Sequence, residues 1–168
     1  MQLTPKIANR PFADIKSDVY QLHIEVGSGC LGGVILRKVS EGDVIAIPTA
    51  SMVGVAKILF VSKYFKDMIL IRLLSTRFLS VEAARSADLK GFQELIYTAV
   101  DPIRKGRWVV VAHQSVSDEE RAMSKRTSGG EVWLQDTHLG PASDTDLATL
   151  PRMLVFGSGL IEKRVSQG

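Results

Sequence analysis

The chain has 168 residues, long enough to bury a hydrophobic core without disulfides or a structural metal. Hydrophobic residues make up 45% and charged residues 23%, near the globular average, which excludes a disordered or fibrous chain. The net charge is +3, and the basic residues are dispersed: Lys16, Arg37, Lys38, Lys57, Lys63, Lys66 and Lys90 each stand among apolar or acidic neighbours, which argues against nucleic acid as the partner.

Residues 19–26 (VYQLHIEV) alternate and carry β-branched and aromatic side chains, the pattern of a strand. Residues 27–33 (GSGCLGG) form a turn, 34–39 (VILRKV) a returning strand and 40–43 (SEGD) a second turn. Residues 44–48 read as a short strand ended by Pro48. Residues 55–61 and 68–74 read as strands joined by a hairpin connection at 63–67. The Ala-rich stretch 81–89 predicts a short helix stopped by Gly91. Residues 92–100 alternate again, 101–106 turn, and 107–113 form the most apolar strand. A helical turn follows at 117–123, an exposed KRTSGG loop at 125–130 and a strand at 131–134. Residues 135–150, rich in Asp, Thr, Ser, Gly and Pro, read as one long loop. A last strand at 152–156 precedes a short helix at 159–165 capped by Ser158.

Many short strands with few helices predict an α+β fold, mainly antiparallel β: a small curled sheet or SH3-like barrel with short helical additions. Helices and strands do not alternate regularly, which excludes a doubly wound parallel sheet. No repeat or low-complexity linker divides the chain, so one domain over residues 1–168 is expected.

The single cysteine, Cys30, cannot form an internal bridge or a cysteine-based zinc site, and fits a reducing compartment. The N-terminal MQLTPKIANRPF lacks the apolar stretch of a secretory signal. No apolar run reaches the roughly twenty residues of a membrane span. The densest stretch, residues 52–74, is broken by Lys57, Lys63, Lys66, Asp67 and Arg72. A cytoplasmic protein with no membrane contact is expected.

Candidate chemistry is sparse. Residues 27–32 (GSGCLG) match a dinucleotide-binding glycine pattern, but β-branched Val34, Ile35 and Val39 follow where that mechanism needs a helix, so a hairpin loop is the better reading. Cys30 with His23 or His113 would make a thiol and its base, yet a lone cysteine in an apolar turn is more often a packing residue. The three histidines, His23, His113 and His138, lack metal-ligand spacing, and Asp136 with His138 reads as a surface loop rather than half of a metal site. Carboxylates cluster at Asp118, Glu119 and Glu120, and at Asp144 and Asp146, in polar stretches that read as solvated faces or helix starts. No catalytic residue, cofactor site or metal site is expected. Trp108 belongs to the core; so does Trp133, unless it is exposed as an interface anchor.

Two stretches resemble the immunity protein 26 family of polymorphic toxin systems. EGDVIAIP at 41–48, followed by GVAKILF at 54–60, is similar to the family's opening pair of strands. LIYTAVDPIRKGRWVVVA at 95–112 is similar to its mid-domain signature, although Ala112 and His113 stand where the family has a glycine. GGEVWL and the closing GLIEKRV follow in order, so the resemblance covers about residues 41–165 and leaves 1–40 as an N-terminal hairpin extension. It implies a non-enzymatic immunity protein that binds the C-terminal toxin domain of a secreted effector. A small nucleic-acid-binding β-barrel is the competing reading. The slightly basic charge differs from that expected of an inhibitor of basic nucleases, so either the toxin is not a basic nuclease or local acidic patches at 117–120 and 136–146 matter more than the net value. The contact residues expected on that reading are Tyr64, Phe65, Asp118, Glu119, Glu120, Trp133, Asp136, Asp144 and Asp146.

Overall fold

In β1 (Asp43–Pro48), β2 (Val53–Val61) and β3 (Met68–Phe78), apolar residues occupy both odd and even positions. Successive side chains of a strand point to opposite faces, so such strands must be covered on both sides. The computed structural model, which describes residues 38–86 and 91–167, shows that arrangement. The described residues all fall within one compact unit. The expected strand at 19–26, residues 34–37 of the expected strand at 34–39, the GSGCLGG turn, Cys30 and His23 lie outside the described residues, and Lys38 and Val39, which are described, belong to no strand.

The remaining elements are α1 (Val81–Arg85), β4 (Glu94–Ala99), α2 (Asp101–Arg104), β5 (Val109–His113), α3 (Asp118–Ala122), β6 (Arg126–Ser128), β7 (Glu131–Leu134), β8 (Thr137–Pro141), α4 (Asp144–Thr149), β9 (Val155–Phe156) and α5 (Ser158–Gln167). Six strands form one sheet in the order β5-β1-β2-β3-β4-β9, antiparallel except for the short parallel β4–β9 pair. β6, β7 and β8 form a second antiparallel sheet. The fold is thus α+β and mainly antiparallel, with short helices as expected. Of the two forms foreseen, the sheet is the one adopted. It stays open, ending at β5 and β9, and does not close into an SH3-like barrel.

One face of the large sheet packs Ile45, Ile58, Ile71, Ile96 and Trp108 against Ile161 and Val165 of α5. Full burial of each such aliphatic side chain contributes about 2 kcal/mol. Two glycines of the resembling motifs have their reasons here. Gly54 faces α5 so closely that a Cβ would stand 2.6 Å from Val165 Cγ2. Gly42 has φ +86°, and a Cβ there would stand 2.6 Å from the Gln114 carbonyl oxygen. Trp108 follows the α2 turn and is 1% exposed, its indole N–H donating to Glu162 of α5 at 2.9 Å.

The opposite face carries two apolar clusters. Val44, Ala46, Val55 and Leu74 pack with Ala84 of α1, whereas Leu59, Phe60, Leu70 and Tyr97 pack with Val116 and Met153. On this face lie Lys57 and Arg72, cross-strand neighbours of β2 and β3.

Four expectations are corrected. Residues 125–130 are not an exposed loop: β6 pairs with β7, and Thr127 exchanges backbone hydrogen bonds with Pro151 and Met153, so Arg126 and Thr127 are buried. Residues 135–150 are not one long loop but β8 and α4. Gln135 adopts φ 55° to reverse the chain into β8, and Ser143 caps α4. Residues 101–106 contain the one-turn helix α2, begun by Pro102 in its first turn. The last strand is shorter than expected, pairing only at Val155 and Phe156.

Candidate functional site

Four of the nine expected contact residues come together. Tyr64 and Phe65 lie in the β2–β3 turn, Trp133 on β7 and Asp136 in the β7–β8 turn. The Tyr64 ring centroid is 4.9 Å from that of Phe65 and 5.5 Å from that of Trp133, and Phe65 lies 5.8 Å from Trp133. His138 of β8 extends the group, 5.0 Å from Trp133, and its Nε2 pairs with Glu131 at 2.8 Å. Tyr64 is 67% exposed, while Phe65 and Trp133 are half-buried. Trp133 is therefore neither core nor free; its ring forms one side of a surface patch.

Asp136 holds the two turns together. Its Oδ1 accepts from the Ser62 hydroxyl at 2.6 Å, and its Oδ2 accepts from the backbone N–H of Lys63 at 2.6 Å and of Tyr64 at 3.2 Å. The Ser62 oxygen accepts in turn from Phe65 N–H at 2.7 Å. A carboxylate taking several amide donors makes strong, charge-assisted bonds. Asp136 thus orders the residues that carry the aromatic rings, and its carboxylate is occupied rather than offered to a partner.

The acidic stretches lie in other elements and serve other ends. Asp118, Glu119 and Glu120 form the first turn of α3, where Ser117 and Glu120 make a capping box. Asp118 is fully exposed. Glu120 turns inward, accepting from Lys57 Nζ at 2.6 Å and Arg72 Nη1 at 3.0 Å, with side chains 4%, 12% and 24% exposed for Lys57, Glu120 and Arg72. Burial alone would raise the Glu120 carboxyl, but hydrogen bonds from Lys57 and the Ser117 amide, the Lys57 charge and Arg72 together hold it below the usual value. Glu120 is therefore an internal ion-pair residue, not a solvated contact. Asp144 and Asp146 open α4, and Asp146 completes a second capping box with Ser143. The S-x-x-E and S-x-x-D spacings at 117–120 and 143–146 are the signals for these roles.

Arg126 is the residue that sequence reasoning missed. It is 1% exposed and stacks on Tyr97 at 4.8 Å and Phe65 at 5.9 Å, directly beneath the aromatic patch. Burial pushes the Tyr97 hydroxyl up to about 12 despite the opposing Arg126 charge. His113 is exposed and bonds Asp43 at 3.1 Å. Among the described residues no three His, Cys, Asp or Glu side chains gather to hold a metal ion, and no helix is long and apolar enough to cross a membrane.

No protein-family model, no curated protein and no solved structure matches this chain.

Proposed function

We propose that the chain is an immunity protein: it binds a cognate bacterial toxin domain and neutralises it, protecting the cell that makes both, and it acts in the cytoplasm. The ordered motifs similar to the immunity protein 26 family support this reading. The observation that carries it is the patch of Tyr64, Phe65 and Trp133, assembled from two turns and braced by Asp136. Aromatic residues are enriched among the energetic anchors of protein interfaces. Rings already held in place lose little freedom on binding, so more of their contact energy is kept as affinity. A cationic nucleic-acid face has less support: Lys57, Arg72, Arg104 and Arg164 are engaged with carboxylates, and of the clustered cations Lys125, Arg126 and Arg152 that are not, Arg126 is buried.

The test is co-expression with the toxin encoded beside this chain. A stable one-to-one complex and survival of the co-expressing cells are expected. Tyr64→Ala and Trp133→Ala, with unchanged circular dichroism, should each weaken the complex by more than about ten-fold, the loss typical of an interface anchor. A chain that neither associates with that toxin nor protects against it overturns the reading.

A further inference from the structure

A cavity of about 180 Å³ opens between β4, the start of β6 and the segment 151–156. Its walls are apolar, formed by Leu70, Leu95, Pro151 and Phe156, with Tyr97 alongside. Three cations line it as well. Arg126 is buried, whereas Lys125 and Arg152 are exposed. Among the described residues, none of the three has a carboxylate within ion-pair distance. Glu94, the one acidic residue on the wall, is already paired with Arg164. Asp146 feels the Lys125 charge only as a minor influence behind its bonds to Ser143.

The Arg126 guanidinium is poorly served. Nε reaches only the Met153 sulfur at 3.3 Å, Nη1 donates to the Ser124 carbonyl at 3.2 Å, and Nη2 is buried with no acceptor. The Tyr97 hydroxyl lies within reach of the guanidinium as well, but a buried cation left with a thioether, one carbonyl, a neutral hydroxyl and two ring faces has no anion among these partners. Cavities that hold drug-sized ligands and cofactors usually measure about 300–1,000 Å³, so this one has room for a single side chain.

We propose that this cavity binds a carboxylate borne by one apolar residue, the apolar side chain entering between Leu95 and Phe156 and the carboxylate meeting Arg126, Arg152 and Lys125. This site is separate from the toxin-binding reading and stands without it. The same chemistry is offered by a free acylated amino acid and by the C-terminal residue of a peptide.

The probes are N-acetyl-leucine, N-acetyl-leucinamide, and a flexible pentapeptide ending in leucine as the free acid and as the amide, each titrated into the full chain by NMR and calorimetry. Both acids should bind saturably, at least ten-fold tighter than their amides, and shift the Leu95 and Tyr97 resonances. Tighter binding of the peptide acid identifies a chain terminus as the natural ligand, and equal binding a free acid. Because Arg126→Met removes a buried group and can unfold the chain, the second variant is Lys125→Gln with Arg152→Gln, both exposed. It should keep the fold and lose at least ten-fold in acid affinity. Equal binding of acid and amide, absence of saturable binding, or an unchanged affinity in the double variant overturns the proposal.

Discussion

Removing the Glu120 carboxylate should damage the fold far more than removing the lysine it pairs with. Glu120→Ala leaves the Lys57 ammonium, 4% exposed, with a single carbonyl acceptor, Ser115 O at 2.8 Å, and leaves Arg72 without its anion. Breaking a buried pair by deleting one partner costs about 3–5 kcal/mol, because the other charge is stranded. Arg72 is a quarter exposed and recovers some hydration, so the lower end, about 3 kcal/mol, is expected. At about 3 °C per kcal/mol for a domain of this size, the melting temperature should fall by about 10 °C. Lys57→Met keeps the stem that lines β2, deletes the buried charge, and leaves Glu120 with Arg72 and the Ser117 amide. It should cost about 1 kcal/mol or less. Glu120 in the parent protein contributes stability that is present above the ordinary 4.5 and lost as pH falls through its lowered value. Urea denaturation of the parent and both variants, at neutral pH and at pH values stepped downward from 4.5, measures all of this. If Lys57→Met destabilises as much as Glu120→Ala, or Glu120→Ala shows the parent's loss of stability on acidification, the charge-stranding argument is wrong.

Gly42→Ala should lose about 2 kcal/mol in the same denaturation assay, since its φ of +86° and the Gln114 carbonyl both exclude a side chain. Gly54→Ala should destabilise by about 1–3 kcal/mol through overpacking against α5. Val165→Ala, which removes the methyl groups in the way, should relieve much of that cost in the double variant, so a double-mutant cycle with no coupling would contradict the contact. Tyr97, its hydroxyl raised to about 12, contributes stability that is full below the ordinary 10 and fades as pH climbs toward 12. Tyr97→Phe should flatten that alkaline loss in thermal melts across pH.

The central hairpins were legible because β1, β2 and the first half of β3 are mostly apolar on both faces, and burial on both faces leaves that mark. The glycines of the motifs also had local meaning: Gly42 turns the chain against Gln114, and Gly54 admits α5. What the motifs locate is therefore the scaffold. β6 and β8 were not legible. Each is short and polar, and each exists through its pairing with β7 and, for Thr127, with Pro151 and Met153. Arg126 stood in a hydrophilic run, and its burial is made by Phe65, Tyr97 and Met153, which no local pattern connects to it. The members of the aromatic patch were named singly from their turns. Their union depends on Asp136 reaching Ser62 across 74 positions of sequence.

That reach ties the lengths of two turns to each other. Asp136 fits the amides of Lys63 and Tyr64 only while both reversals keep their present size. One added residue in either would carry donors and acceptor out of register and leave the rings unbraced. Altering the make-up of this patch is thus a matter of exchanging residues 62–67 and 133–138 as a matched set on an unaltered sheet. A graft of one segment alone would deliver the new side chains without the anchor that orients them.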